Sequence, residues 1–199
     1  MTDDLFEYDR SLRLENGIFC GIDEAGRGPL AGDVYAAAVV FDDDTFIEGI
    51  NDSKKLSEKK RAELYDIIIQ KAAAYSVGTA SAAEIDEHNI LRATFIAMRR
   101  AYEGLGIKPS FAIVDGNRDP SLGIRTMTVV KGDGISASIA AASIIAKVSR
   151  DRYMTELAEK YPEYQFEKHK GYPTKLHYEM IRQYGPSPVH RMSFLKKMH

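Results

Sequence analysis

IFCGIDEAGRGPLAGDVYAAAVVF, residues 18–41, is the stretch on which the fold turns. Residues 18–22 are short and apolar, which predicts a strand that runs into Asp23 and Glu24. Residues 34–41 are continuously apolar, which predicts a second and well-buried strand. The intervening AGRGPLAGD is dense in glycine and proline and reads as the loop joining them. Two carboxylates at the end of a buried strand, followed at once by Gly26-Arg27-Gly28, are the first sign of chemistry.

Outward from this stretch the elements become mixed. Residues 1–16 are polar and read as a loose N-terminal arm. Ser57 can cap a helix reaching about residue 74, with Leu64, Ile67, Ile68 and Ala72 inward. Residues 75–80 read as a short strand, and Ser81-Ala82-Ala83-Glu84 has the form of a capping box. Leu91, Phe95, Met98, Tyr102 and Leu105 form a helical stripe ended by Gly104 or Gly106. Residues 111–114 are a strand ending at Asp115; residues 126–130 are another, leading to Asp133. A long helix over 136–160 is buried in its first half and stops before Pro162, and a last helix covers 174–183. Hairpin strands followed by strand–helix alternation predict an α/β layer with a central mixed sheet flanked by helices.

The chain has 199 residues, about one domain's worth, with 44% hydrophobic and 28% charged residues. Its one cysteine, Cys20, excludes a disulfide framework and a Cys-rich zinc site. No apolar run reaches the ~18 residues of a membrane helix. The acidic N-terminus lacks the apolar core of a signal peptide, so a cytoplasmic protein is expected. Net charge is −2, but residues 1–52 carry 13 acids and 3 bases, while 147–199 carry 11 bases and 6 acids. An acidic first quarter and a basic tail suit a protein that holds cations in one place and a polyanion in another, and also suit an ordinary soluble protein.

Asp23, Glu24, Asp115 and Asp133 all lie at or just beyond predicted strand ends, which are neighbours in space at one edge of a sheet. Four converging acids repel one another unless a cation sits between them. Oxygen ligands with no His or Cys nearby favour Mg²⁺ or Mn²⁺, whose common partner is phosphate. Two such ions are a device for in-line displacement at a phosphodiester. A single strand-end Asp is as readily a turn or cap residue, as the run Asp42-Asp43-Asp44 illustrates. Gly26-Arg27-Gly28 lets backbone approach a ligand while Arg27 meets a phosphate or sugar oxygen, and it also suits a plain tight turn. Lys54 and Lys55, with Lys59, Lys60 and Arg61, could track a nucleic-acid backbone or form a solvated face. Tyr172, in the basic HKGY at 169–172, could stack on a sugar or base or pack internally. No P-loop pattern is present.

GIDEAGRGPLAG (21–32), NDSKKLSEKKR (51–61), VDGN (114–117), KGD (131–133), SIAAASIIAKVSRDRYM (138–154), HKGYPTK (169–175) and HRMSF (190–194) together resemble the motifs of bacterial ribonuclease HII. They occur in family order from about residue 17, and the chain has no room for the larger N-terminal domain of the related ribonuclease HIII. The resemblance implies a ribonuclease H-like core to about residue 160 and a basic helical extension over 161–199. It implies hydrolysis of the RNA strand of RNA–DNA hybrids and incision 5′ of single ribonucleotides in duplex DNA, leaving 3′-hydroxyl and 5′-phosphate ends. Asp23, Glu24, Asp115 and Asp133 match the family's active-site acids and Mg²⁺ or Mn²⁺ ligands. Gly26, Arg27 and Gly28 match its 2′-hydroxyl sensor, and Tyr172 the tyrosine on the adjacent deoxyribose. Lys54 and Lys55 are further substrate-binding candidates. A monomer is expected; HRMSF could contact a replication or repair protein or simply pack. A DNA nuclease of the same fold, a non-catalytic nucleic-acid binder and a small-molecule phosphatase are the competing readings.

Overall fold

In the computed structural model, residues 2–51 and 53–196 are described, the Lys55 side chain excepted. Five strands form one sheet in the order β3-β2-β1-β4-β5. Strand β1 (Phe19–Ala25) pairs antiparallel with β2 (Val34–Val40), which pairs antiparallel with β3 (Ala74–Ala80). On its other side β1 pairs parallel with β4 (Phe111–Asp115), and β4 parallel with β5 (Arg125–Val129). The mixed sheet expected from the order of elements is present. β1 is longer than its apolar run, so Asp23 and Glu24 lie within the paired strand and not beyond it.

Side chains alternate across a strand, and the two faces of β1 meet different helices. On one face lies α5 (Ala137–Lys160), whose first half is buried against the sheet, as its run of small and branched apolar residues predicts. Its N-cap is Ser136, whose side chain accepts from Ile139 N–H. Helix α2 (Glu58–Lys71), capped by Ser57, packs on the same side through Leu64 and Ile68. Ile67, expected inward, is 37% exposed and lies at the margin of the Leu64–Ile68 face.

The opposite face is covered by α3 (Ala82–His88) and α4 (Ile90–Glu103). The capping box of α3 forms as the sequence predicts, with Ser81 Oγ accepting from Glu84 N–H. Helix α4 corrects part of the expected stripe. Met98 and Leu105 are buried as expected, but the rest of the buried face is Ala93, Thr94, Ala97 and Ala101, while Leu91, Phe95 and Tyr102 sit at the margins. The cause is close approach: a Cβ on Gly78 of β3 would lie 2.2 Å from the Ala97 carbonyl oxygen. Only small residues fit a helix so near the sheet.

Residues 1–16 are also corrected. Thr2–Asn16 is a helix, α1, with Leu5, Phe6 and Asp9 buried. Asp9 Oδ2 accepts from both the backbone N–H and the hydroxyl of Ser138 at 2.8 and 2.6 Å, which ties α1 to the first turn of α5. A segment reads as polar when two hydrophobic residues suffice to dock it.

Beyond α5 come α6 (Phe166–His169), α7 (Lys175–Tyr184) and α8 (Met192–Leu195). Tyr164, Phe166, Ile181 and Leu195 pack with Met154 and Leu157 of α5 and with Leu30 and Ala31 of the β1–β2 loop. The helical extension thus rests on the loop that follows the acids. No helix among the described residues is long and apolar enough to cross a membrane.

Candidate active site

Asp23 shares its face of β1 with Phe19, which packs beneath α5, and Glu24 shares the α4 face with Cys20 and Ile22. Adjacent carboxylates therefore straddle the strand. Asp23 is 4% exposed, hydrogen-bonds Ser143 of α5, and accepts from Glu24 N–H at 2.7 Å. Burial, then the charges of Glu24 and Asp115, push its carboxyl well above the usual range. Burial also raises Glu24, opposed by Arg27, whose Nη1 donates to Glu24 Oε1 at 3.4 Å.

Asp115 ends β4, beside β1 in the parallel register. Its Oδ1 accepts from Gly132 N–H at 2.6 Å, which draws the 3₁₀ turn Gly132–Gly134 and its buried Asp133 against the strand end. Asp115 stands between two openings. One, of ≈ 240 Å³, is lined by Glu24, Arg27, Thr94, Phe95, Asp115 and Asn117. The other, of ≈ 710 Å³, is lined by Lys54, Asp115, Lys131, Asp133 and Ile135. All four predicted acids are thus gathered at one edge of the sheet.

Lys54 also belongs here, and its charge favours the ionised form of Glu24. The Ser53–Lys55 turn that carries it is held by a 2.7 Å hydroxyl pair between Ser53 and Ser143 and by Arg61 donating to the carbonyls of Ser53 and Leu56. The side chain of Lys55 lies outside the described residues.

Among the described residues, no three His, Cys, Asp or Glu side chains form a closed cation cage. The donor set still fits a hard divalent ion. Magnesium typically takes one or two carboxylates and fills its octahedron with water and substrate phosphate. Arg27 and Lys54 offset part of the charge on Glu24, while Asp23 and Asp115 still repel one another, a balance that a hard cation would favour.

The Gly26–Gly28 loop is built from beneath by two arginines that are 0% exposed. Arg191 donates to the carbonyls of Gly26, Arg27, Pro29 and Gly32 at 2.7–3.0 Å. Arg150 donates to the carbonyls of Ala31, Asp33 and Lys170, each at 3.1 Å. Gly26 has φ +93°, and a Cβ there would lie 2.1 Å from Arg150 Nε, so the site requires glycine twice over. Tyr172 is brought to the same place. A Cβ on Gly28 would be 3.8 Å from Tyr172 Cε1, and the ring is 38% exposed, with Arg150 and Lys147 each 5.8 Å from its centroid.

The HRMSF stretch takes the packing role in its first two residues, since His190 and Arg191 are buried. The sequence reading missed Ser143, Asn117, Arg150 and Arg191 as site-building residues. One signal existed for two of them: Ser143 and Arg150 are two turns apart on α5 and so share a face.

The ribonuclease HII family model matches residues 20–197. The ribonuclease HII of Shewanella pealeana is 60% identical over 178 residues, covering 89% of this chain and 88% of that relative. Among solved structures, ribonuclease H2 from Pyrococcus horikoshii is similar with TM-score 0.75 and 31% identity, over 88% of this chain and 93% of that one. A chain in the PCNA:RNase HII complex from Archaeoglobus fulgidus is similar with TM-score 0.71 and 29% identity, over 88% and 94%. Together with the sheet, the acids and the loop, these matches show that the chain belongs to the ribonuclease HII family, nucleases that hydrolyse RNA–DNA hybrids.

Proposed function

We propose that this nuclease also incises duplex DNA on the 5′ side of a single embedded ribonucleotide, using Asp23, Glu24, Asp115 and Asp133 to hold two divalent ions, Mg²⁺ or Mn²⁺. The observation that carries the reading is the meeting of two differently built groups on one surface. Glu24 and Asp115 line one cleft together with Arg27 of the Gly26–Gly28 loop, Asp115 and Asp133 line the adjoining one, and the loop abuts the half-exposed ring of Tyr172.

When bound, the ions would lower the pKa of an attacking water and offset charge on the leaving 3′-oxygen. The chain's own residues supply the rest. Asp23 and Asp115 set the position of the acid cluster through Ser143 and the Gly132 amide. Arg27 and Lys54 place positive charge beside the carboxylates, where a phosphodiester must come close. The 2′-hydroxyl is the group that tells ribose from deoxyribose, and a glycine loop lets backbone donors reach it without side-chain bulk. Tyr172 packs on the neighbouring sugar and selects the RNA–DNA junction.

The reading includes a monomeric, cytoplasmic enzyme. A contact with a replication protein through the C-terminal stretch, of the kind named for the Archaeoglobus protein, would use the half-exposed Met192 and its surroundings, since His190, Arg191 and Leu195 are buried.

The test is an end-labelled DNA duplex carrying one ribonucleotide, incubated with Mg²⁺ or Mn²⁺ and with an EDTA control. The expected result is metal-dependent incision 5′ of the ribonucleotide, with an all-DNA duplex uncut. Cleavage of long hybrids alone would remove the junction activity. Equal cleavage of the all-DNA duplex would favour a DNA nuclease.

A further inference from the structure

Three histidines that take no part in the acid cluster lie buried under the Tyr172 loop. His169, His177 and His190 are 7%, 0% and 2% exposed, and the first two stack with centroids 4.3 Å apart. Their ring nitrogens are wired from backbone groups whose roles are not negotiable. The Tyr172 carbonyl can only accept, so His177 Nδ1, 3.0 Å away, carries a proton. The Ser187 N–H can only donate, so His190 Nδ1, 2.9 Å away, carries none. Neutral His190 then has its proton on Nε2 and gives it to His177 Nε2 at 3.1 Å.

One arrangement satisfies every atom of this chain: Ser187 N–H to His190, His190 to His177, His177 to the Tyr172 carbonyl. A second proton on His177 sets N–H against N–H, and one on His190 sets its Nδ1–H against the Ser187 N–H, with the Ser187 hydroxyl, 2.8 Å away, the group that could accept it. Burial agrees, holding both His177 and His190 down at about 4, so both rings are neutral at pH 7. His169 is wired separately, its Nε2 to the Tyr164 carbonyl and its Nδ1 accepting from Gly171 N–H. The residue before Tyr172 is therefore pinned as well.

We infer that His177, oriented by His190, is a positioning residue for substrate recognition: its Nδ1–H fixes the Tyr172 backbone, and so the plane in which the ring meets the sugar. This rests on the sugar-packing role of Tyr172 proposed above. The Tyr172 carbonyl also accepts from Thr174 N–H at 2.8 Å, so the loop persists without His177, but its second anchor is lost.

Replacing His177 separates positioning from space filling. Asn keeps a donor at the Nδ1 position and Gln keeps an amide at the Nε2 position, although Gln is nearer to His in size. Positioning predicts that His177→Asn stays within about threefold of wild type in junction kcat/KM, while His177→Gln and His177→Leu fall about tenfold, the worth of one directed hydrogen bond. The loss should be larger on the single-ribonucleotide duplex than on a long hybrid. Gln matching or exceeding Asn, or Leu matching wild type, overturns the inference.

Tyr172→Ala is run beside them. If it leaves junction incision unchanged, the role of Tyr172 itself fails, and the inference falls with it. If Tyr172→Ala loses incision while all three His177 variants keep it, only the positioning role fails. A measurement on the unaltered protein covers the case in which a variant does not fold. Ring ¹⁵N correlations should show His177 with its proton on Nδ1, and His169 and His190 with theirs on Nε2. A proton on His177 Nε2 overturns the inference.

Discussion

The two ends of the loop at residues 25–33 bury charge in opposite ways. On the acid side, Asp23 and Glu24 are desolvated and lie near Asp115, and their carboxyls are pushed upward. On the recognition side, Arg150 and Arg191 are equally buried, yet seven backbone carbonyls receive their N–H groups. A guanidinium spends its fork on carbonyls and becomes scaffold. Carboxylates crowded together repel one another, with Arg27 and Lys54 offsetting only part of that charge at Glu24, and become a site for something cationic. The same low-dielectric interior thus yields rigidity in one place and reactivity a few residues away.

The largest effect should come from the acid side. Asp115→Asn or Asp133→Asn should reduce turnover by about a thousandfold or more, because several kcal/mol of charge stabilisation at the phosphodiester is lost. Far-ultraviolet circular dichroism should remain that of the folded protein. A variant with wild-type single-turnover rate would remove that residue from the site.

Arg191→Met tests the other side. It leaves four carbonyls without their donor and should cost roughly 3–5 kcal/mol of folding stability, read as a lower urea midpoint. A loss below about 1 kcal/mol would mean that the loop does not depend on its pedestal.

Tyr172 lies where the two regions meet. Tyr172→Phe keeps the ring and should retain activity. Tyr172→Ala should lose about ten- to a hundredfold on the junction substrate, the scale of one lost stacking contact. Equal rates for Ala and wild type would dissolve the junction reading.

The comparison also has a pH signature. His177 and His190 titrate near 6.5 unfolded and at about 4 in the fold, so the unfolded chain binds more protons between those values. Their contribution to stability is complete above pH 6.5 and is lost as pH falls towards 4. Asp23 has the opposite sign, because its raised carboxyl binds a proton more readily in the fold than out of it. Urea unfolding at a series of pH values should show a shallower acid decline in His177→Asn than in wild type. An unchanged slope would show that the histidines are not the groups responsible.

The smallest effect lies outside both regions. Ser81→Ala removes the cap of α3 and should cost about 1 kcal/mol with activity intact. Thermal unfolding checks the first part and the duplex assay the second.

Much of this was legible in the residues. Apolar runs placed β1 and β2, and Ser57 and Ser81 capped their helices, because a cap needs only a side-chain oxygen and the next turn of backbone. Part of the α4 stripe (Leu91, Phe95 and Tyr102) and the N-terminal arm differ from expectation for one reason. Which face is buried, and whether a polar segment docks, depends on a partner such as Gly78 or Ser138 that local pattern does not contain.

Taken alone, the sequence determined the acids, their strand-end spacing and the motif order that marks the family, since these are properties of residue type and position along the chain. Tertiary structure alone decided that the Asp23 side of β1 meets α5 and the Glu24 side α4, that Arg191 would hold Gly26 from 165 residues away, and that His177 would face Tyr172 with a single proton. The physical reason is that the fate of a buried polar group is set by the partners that meet it, and those partners come together when the chain closes on itself.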